Sequence, residues 1–209
     1  MSIEFIRVGA EDKRFDGAIR IYEESFPPNE RHPSSVIKGR VKSGKEEMFV
    51  GLLQGEVVLM ALIWPLKSTD FILLDYIAVK KQYRGQSIGS RFMSRICDLP
   101  GYGNKIIILE VENPGFGENR EQRQRRVSFY RALGALELSG VRYILPPLSG
   151  AVPTDMILMV LPMRQNTKLQ GDLVRKIVLK IYGELYGLDE GSSLVRLTMS
   201  SIQDIVEAE

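Results

Sequence analysis

Apolar residues run almost unbroken from Phe71 to Val79, and from Ile88 onward they recur as Ile88, Phe92 and Ile96. The first pattern is that of a buried strand, and the second has the spacing of one helix face. A basic turn, Lys80-Lys81-Gln82-Tyr83, and the loop Arg84-Gly85-Gln86-Ser87-Ile88-Gly89 join them. The same two periodicities sort the rest of the chain. Residues 2–8 read as a strand. Residues 14–26 read as a helix with Phe15, Ile19 and Tyr22 on one face, stopped by Pro27-Pro28 because proline cannot continue it. A short helix is expected over 34–42. A hairpin is expected over 48–53 and 56–66, turned at Gln54-Gly55. A strand at 105–112 leads through a polar loop to a helix ending at Leu133, with Gly134 as its C′ residue. Strands at 136–145 and 155–161 flank Pro146-Pro147-Leu148-Ser149-Gly150. The resulting order is β-α-α-β-β-β-α-β-α-β-β.

Past Met163 the pattern changes. Gln165-Asn166-Thr167 is a polar link, and Leu173, Val174, Ile177, Val178, Ile181, Tyr182 and Leu185 form a broad helical stripe ending at Gly187. Ser192 or Ser193 suits the cap of a last helix carrying Val195, Met199, Ile202 and Val206. The expected division is therefore a domain over 1–163 and a two-helix extension over 164–209. The extension's apolar stripe calls for packing on the sheet or on the sister subunit of a homodimer.

Composition narrows the function classes. A net charge of +2 on 209 residues argues for neither nucleic acid nor an anionic membrane surface as partner. The single cysteine, Cys97, excludes an internal disulfide and a multi-cysteine zinc site, and its place in a helix suggests an apolar packing role. The single histidine, His32, rules out histidine-cluster metal sites, so no metal is expected, and it is read as solvated. Glu4, Arg7 and Glu11 interrupt any leader-like apolar run, which points to the cytoplasm.

The strand–loop–helix at 71–96 carries the chemistry. Such a loop aims several backbone N–H groups and the positive end of a helix dipole at one spot, which suits a phosphate. No Gly-Lys-Ser/Thr follows, so it is not a P-loop, and the glycine spacing is not that of a dinucleotide fold. The run Ile77-Ala78-Val79 followed by Arg84-Gly85-Gln86-Ser87-Ile88-Gly89 resembles the acetyl-CoA motif of the GNAT acyltransferases, Gln/Arg-x-x-Gly-x-Gly/Ala after a strand. Arg84 and Gly89 match its outer positions, and Ser87 stands where that family usually has glycine. The element order over about 1–163 is also that of the family. The resemblance implies a mixed α/β (α+β) fold with a mostly antiparallel central sheet and flanking helices, extended by the C-terminal helices. It further implies acetyl-CoA as acyl donor, held by Ile77, Ala78, Val79 and the loop residues Arg84 to Ser90: Arg84, Gly85, Gln86, Ser87, Ile88, Gly89 and Ser90.

Further residues follow from the same resemblance. Tyr130, in Tyr130-Arg131-Ala132-Leu133-Gly134-Ala135, is similar to the family's tyrosine that protonates the departing CoA thiolate. Leu109-Glu110-Val111 is similar to the family segment whose glutamate deprotonates the amine through water. Strand periodicity puts Glu112 on the face of Glu110, and Asp75 on the face of Ile77 and Val79, so both are alternative bases. Neighbouring carboxylates hold a proton more tightly, which suits a base near neutrality. The competing reading is structural, with ion pairs to Arg123, Arg125 or Arg126. Phe26-Pro27-Pro28-Asn29-Glu30-Arg31 resembles the acceptor turn of arylalkylamine-type members, which brings in Phe26, Pro27, Glu30 and Arg31. The Pro146-Pro147 loop corresponds to the family's last hairpin, which closes over the acceptor. The reading is an acetyl-CoA-dependent N-acetyltransferase acting by direct attack of a small, cationic primary amine. Its rival is a non-catalytic CoA-binding regulatory or scaffold protein on the same fold.

Overall fold

The computed structural model of the chain describes residues 2–117, 119–148, 152–161 and 167–209, and excludes the side chains of Asn29 and Cys97. The expected boundary at 163/164, the tip of the Pro146–Gly150 loop and the packing role of Cys97 lie outside the described residues. The architecture is mixed α/β with a mostly antiparallel sheet, and the chain forms two compact units.

The first unit comprises residues 1–65, 74–103 and 148–150. It holds β1 (Glu4–Val8), α1 (Phe15–Ser25), α2 (Ser34–Lys42), β2 (Glu47–Leu53), β3 (Glu56–Pro65) and α3 (Ile88–Arg95). It also takes the last residues of β4 (Phe71–Val79), a strand that begins in the second unit. β2 pairs antiparallel with β1 and with β3. The β2–β3 turn holds Gln54 at φ 51° and Gly55 at φ 83°. Two left-handed residues in a two-residue loop match the right-handed twist of the strands, which is why the Gln-Gly pair makes a hairpin. Gly51 is needed on packing grounds, since a Cβ there would lie 3.0 Å from Leu59 and from the Phe5 ring. Phe15, Ala18, Ile21 and Tyr22 of α1 pack on Val50, Leu52, Met60 and Leu62. Each large side chain so buried stabilises the fold by about 1.5–3 kcal/mol. α1 ends where Phe26 turns extended (φ −120°, ψ 127°), as the proline after it demands.

The second unit comprises residues 66–73, 104–147 and 151–209. It holds β5 (Ile106–Glu112), α4 (Arg120–Ala132), β6 (Leu136–Glu137), β7 (Tyr143–Leu145), β8 (Thr154–Leu161), β9 (Lys168–Gln170), α5 (Gly171–Tyr186), α6 (Ser193–Ser201) and β10 (Ile205–Glu207). β8 pairs antiparallel with β5 on one edge and with β6 and β7 on the other. The single strand expected over 136–145 is two short ones. Gly140, at φ 77°, breaks the run, and the chain end occupies the interrupted edge. There Glu137 and Glu209 exchange backbone hydrogen bonds of 2.7 and 3.0 Å, and Ser139 N–H donates to Glu207 O at 2.8 Å. The last expected helix is likewise shorter. It stops at Ser201, and Val206 lies in β10, which pairs antiparallel with β9. Gly171 starts α5 where a Cβ would stand 2.0 Å from the Gln203 carbonyl, so only glycine fits. Tyr182, fully buried, donates its hydroxyl to Ile144 O at 2.8 Å and meets Thr198 Oγ1 at 2.9 Å. That one side chain ties α5 to β7 and α6. Among the described residues no helix is long and apolar enough to cross a membrane.

Candidate active site

The loop after β4 is fixed by specific bonds. The Glu56 carboxylate accepts from Lys80 Nζ at 2.5 Å and from Tyr83 Oη at 2.6 Å, at either end of the 3₁₀ turn Lys81–Tyr83. Arg84 donates Nε–H to Val79 O at 3.0 Å and a terminal N–H to Ser25 Oγ at 3.1 Å. It therefore clamps the loop to the ends of β4 and α1. Gly85 (φ 78°) and Ser87 (φ 56°) are both left-handed, so the chain doubles back just before α3. Arg91 N–H opens the helical ladder on Ser87 O at 3.0 Å. The N–H groups of Ile88, Gly89 and Ser90 consequently have no intrahelical acceptor. Exposed amides at a helix start after left-handed residues form an anion-binding concavity, so the loop fits a phosphate. The Ser87 side chain makes no capping bond. A serine in this conformation costs about 1 kcal/mol, the strain that glycine avoids. On β4, Tyr76 and Ala78 join the core of the first unit, whereas Asp75, Ile77 and Val79 share the other, half-buried face.

Asp75 lies in a buried polar cluster. Arg40 of α2 stands 3.7 Å from its carboxylate and 3.9 Å from that of Glu46, which is 1% exposed. The guanidinium lies over the Trp64 ring at 5.2 Å and meets His32 Nε2 at 3.3 Å. Burial first, and then the Asp75 charge, push the Glu46 carboxyl far above the usual range. Asp75 is likewise raised by burial and eased back by Glu46 and Arg40. Burial and the Arg40 charge bring His32 down to about 4, so it is neutral and accepts from the guanidinium. His32 is thus half-buried and partnered, not solvated. Glu46 and Arg40 escaped the sequence reading because Lys45-Glu46-Glu47 looks like a solvated charge run.

In the second unit Glu110 and Glu112 do project from one face of β5, but their surroundings differ. Glu112 is locked by Arg123 at 3.2 Å and by Arg126, both from α4. This is the ion pairing that the sequence offered as the structural alternative, with Arg125 instead pairing with Glu121. Glu110 accepts the hydroxyl of Tyr143 from β7 on one oxygen and that of Tyr186 from α5, at 2.9 Å, on the other. Tyr130, one turn from the end of α4, is half-buried with its ring edge-on to Phe129. Burial pushes its phenol up to about 12 against the opposing Arg126 charge, so it is protonated at neutral pH.

The proposed acceptor turn contains the 3₁₀ segment Pro28–Glu30. Phe26 packs edge-on against Tyr76 at 4.8 Å, and Tyr76 Oη donates to Glu30 O at 3.3 Å. Arg31 donates to Glu23 O at 2.6 Å and Phe26 O at 3.1 Å, the carbonyls at the end of α1. Pro27 and Glu30 are exposed. Arg31 therefore caps a helix, and among the described residues of this turn the exposed side chains are Pro27, Pro28 and Glu30.

Residues 44–134 match the sequence profile described as acetyltransferase (GNAT) domain. Among curated proteins none matches the chain. Solved structures do. A protein assigned to the GNAT acetyltransferases from Bacteroides thetaiotaomicron superposes with a TM-score of 0.73 at 22% identity, over 89% of this chain and 99% of its own. The ribosomal-protein-S18-alanine N-acetyltransferase of Escherichia coli gives 0.57 at 20% identity, over 79% and 96%. A Salmonella typhimurium protein of acetyltransferase type, solved with its cofactor acetyl-CoA, gives 0.56 at 13% identity, over 79% and 96%. The loop at 84–90 and both β5 carboxylates fall inside the matched segment, and the chain has the GNAT fold, with residues 44–134 similar to the acetyltransferase (GNAT) domain.

Proposed function

We propose that the chain transfers an acetyl group from acetyl-CoA to the primary amine of a small, cationic acceptor. The observation that supports this most is the loop at 84–90, where the N–H groups of Ile88, Gly89 and Ser90 stand without intrahelical acceptors at the positive end of α3. In this reading those amides hold the pyrophosphate of acetyl-CoA, Ile77, Ala78 and Val79 bond its pantetheine arm, and Arg84 stabilises the loop. Acetyl-CoA supplies the activated thioester. Glu110, held at both oxygens by tyrosine hydroxyls, takes the proton of the attacking amine through water. Tyr130 gives its proton to the sulfur as the carbon–sulfur bond breaks. Glu112 and Asp75 are read as structural, because each is committed to arginine partners. Phe26, Pro27 and Glu30 are read as one wall of the acceptor site.

Calorimetric titration of acetyl-CoA into wild type and Gly89→Asp tests the donor site. The variant sets a carboxylate and bulk among the amides, and unchanged affinity would reject the assignment. The acceptor class is tested by thiol release from acetyl-CoA with spermidine, tyramine and an alanine-initiated peptide. Turnover with the peptide alone would favour a protein N-terminus over a small amine.

A further inference from the structure

We propose that Tyr186, carried by helix α5 of the C-terminal segment, is a positioning residue for Glu110, so that this segment forms part of the catalytic apparatus; the inference rests on the assignment of Glu110 as base. Tyr186 Oη donates to one Glu110 oxygen at 2.9 Å, and Tyr143 donates to the other. A carboxylate bonded at both oxygens by donors from two different elements has little rotational freedom about its last torsion. The donors are themselves braced. Tyr143 stacks on Tyr182 at 5.1 Å, Tyr182 lies 6.4 Å from Tyr186, and Tyr182 is bonded to Ile144 and Thr198. Gly187, at φ 67°, ends α5 one residue beyond Tyr186, which therefore lies in the last helical turn. Among the described residues of the second unit, the titratable groups around Glu110 include Tyr143 on β7, and Tyr182 and Tyr186 on α5. Along β5 the next carboxylate is Glu112, which Arg123 and Arg126 of α4 neutralise. Across the ladder on β8 its partner is the apolar Leu158. The hydroxyl of Tyr186 thus favours the charged form of Glu110 and aims it. A stripe that only packed the extension would have needed no hydroxyl at this position, and phenylalanine would have served.

The test compares full-length wild type, Tyr186→Phe, Glu110→Gln and the double variant, and uses two readouts. The first is the carboxylate ¹³C resonance of Glu110, assigned by its loss in Glu110→Gln and followed against pH without any substrate. Tyr186→Phe should raise its midpoint by about one unit, because a donor to the charged form is removed. The second is thiol release from acetyl-CoA with the best amine of the panel. There Tyr186→Phe should lower kcat about ten-fold with KM for acetyl-CoA within two-fold, and should have no further effect in the Glu110→Gln background. An unmoved midpoint, or an equal rate loss with and without Glu110, overturns the positioning role. Wild-type turnover by Glu110→Gln would instead overturn the base assignment on which it rests. Tyr186→Leu serves as a packing control: if its rate loss equals that of Tyr186→Phe but its melting temperature falls further, the hydroxyl and not the ring is the active element.

Discussion

Replacing Glu46 by glutamine should stabilise the protein at neutral pH. The side chain is 1% exposed and faces Asp75, and its carboxyl is raised far above the ordinary 4.5. Folding at pH 7 therefore obliges an ionised Glu46 to take up a proton. A group whose folded pKa is raised gives stability that is complete below its unfolded pKa and lost as pH climbs through the folded one. Each unit between 4.5 and 7 costs about 1.4 kcal/mol, so Glu46 costs the native state about 3 kcal/mol at pH 7. Glutamine is neutral at every pH and has nearly the same shape. The variant should match wild type near pH 4.5 and exceed it by about 3 kcal/mol at pH 7, with the gap widening further at pH 8. Urea unfolding at these pH values reads the difference, in which titrations common to both proteins cancel. A constant gap across the range, or a less stable variant at pH 8, would refute the burial-driven protonation of Glu46.

His32, lowered to about 4 from 6.5, should act with the opposite sign. Its stability contribution is present above 6.5 and fades by about 3 kcal/mol as pH falls toward 4, so His32→Gln should lose less stability over that interval in urea titrations. Ser87→Gly removes left-handed strain and should raise stability by about 1 kcal/mol without weakening acetyl-CoA binding by calorimetry; a loss of stability would contradict the strain argument. Gly171→Ala drives a Cβ into the Gln203 carbonyl and should cost about 3 kcal/mol or more, visible as a large drop in melting temperature. Removing the residues after 163 should leave insoluble or molten protein, since it deletes the segment whose Glu209 exchanges backbone bonds with Glu137 and the helix buried through Tyr182; a stable monodisperse fragment would count against this.

The order of elements to Leu161 was legible because each carries its own periodicity or breaker. Pro27-Pro28 ends α1, Gln54-Gly55 turns the hairpin, and Gly134 follows α4 as written. What was not legible depends on distant partners. β9 and β10 are three residues each, too short for alternation to register, and are strands only because they pair across some thirty-five positions. The break at Gly140 is shaped by the chain end that bonds there. In the candidate site, Glu110, Glu112 and Asp75 were visible as charges on apolar strands, but their partners were not. Arg123 and Arg126 sit a polar loop away from Glu112, and Tyr186 lies outside the apolar stripe that marks its helix in the sequence. The bonds of the Arg84 side chain to Val79 O and Ser25 Oγ likewise depend on the folded chain and could not be read from the motif.

Acetyl transfer is measured most directly as turnover of acetyl-CoA by residues 1–209 with the amine panel. Mass spectrometry would follow free CoA and acetylated amine together. Equal amounts of both are expected, with kcat reduced about 10²–10⁴-fold in Tyr130→Phe while acetyl-CoA affinity is retained. Tight binding of acetyl-CoA with no acetylated amine from any acceptor, or undiminished kcat in Tyr130→Phe, would contradict the proposed transfer.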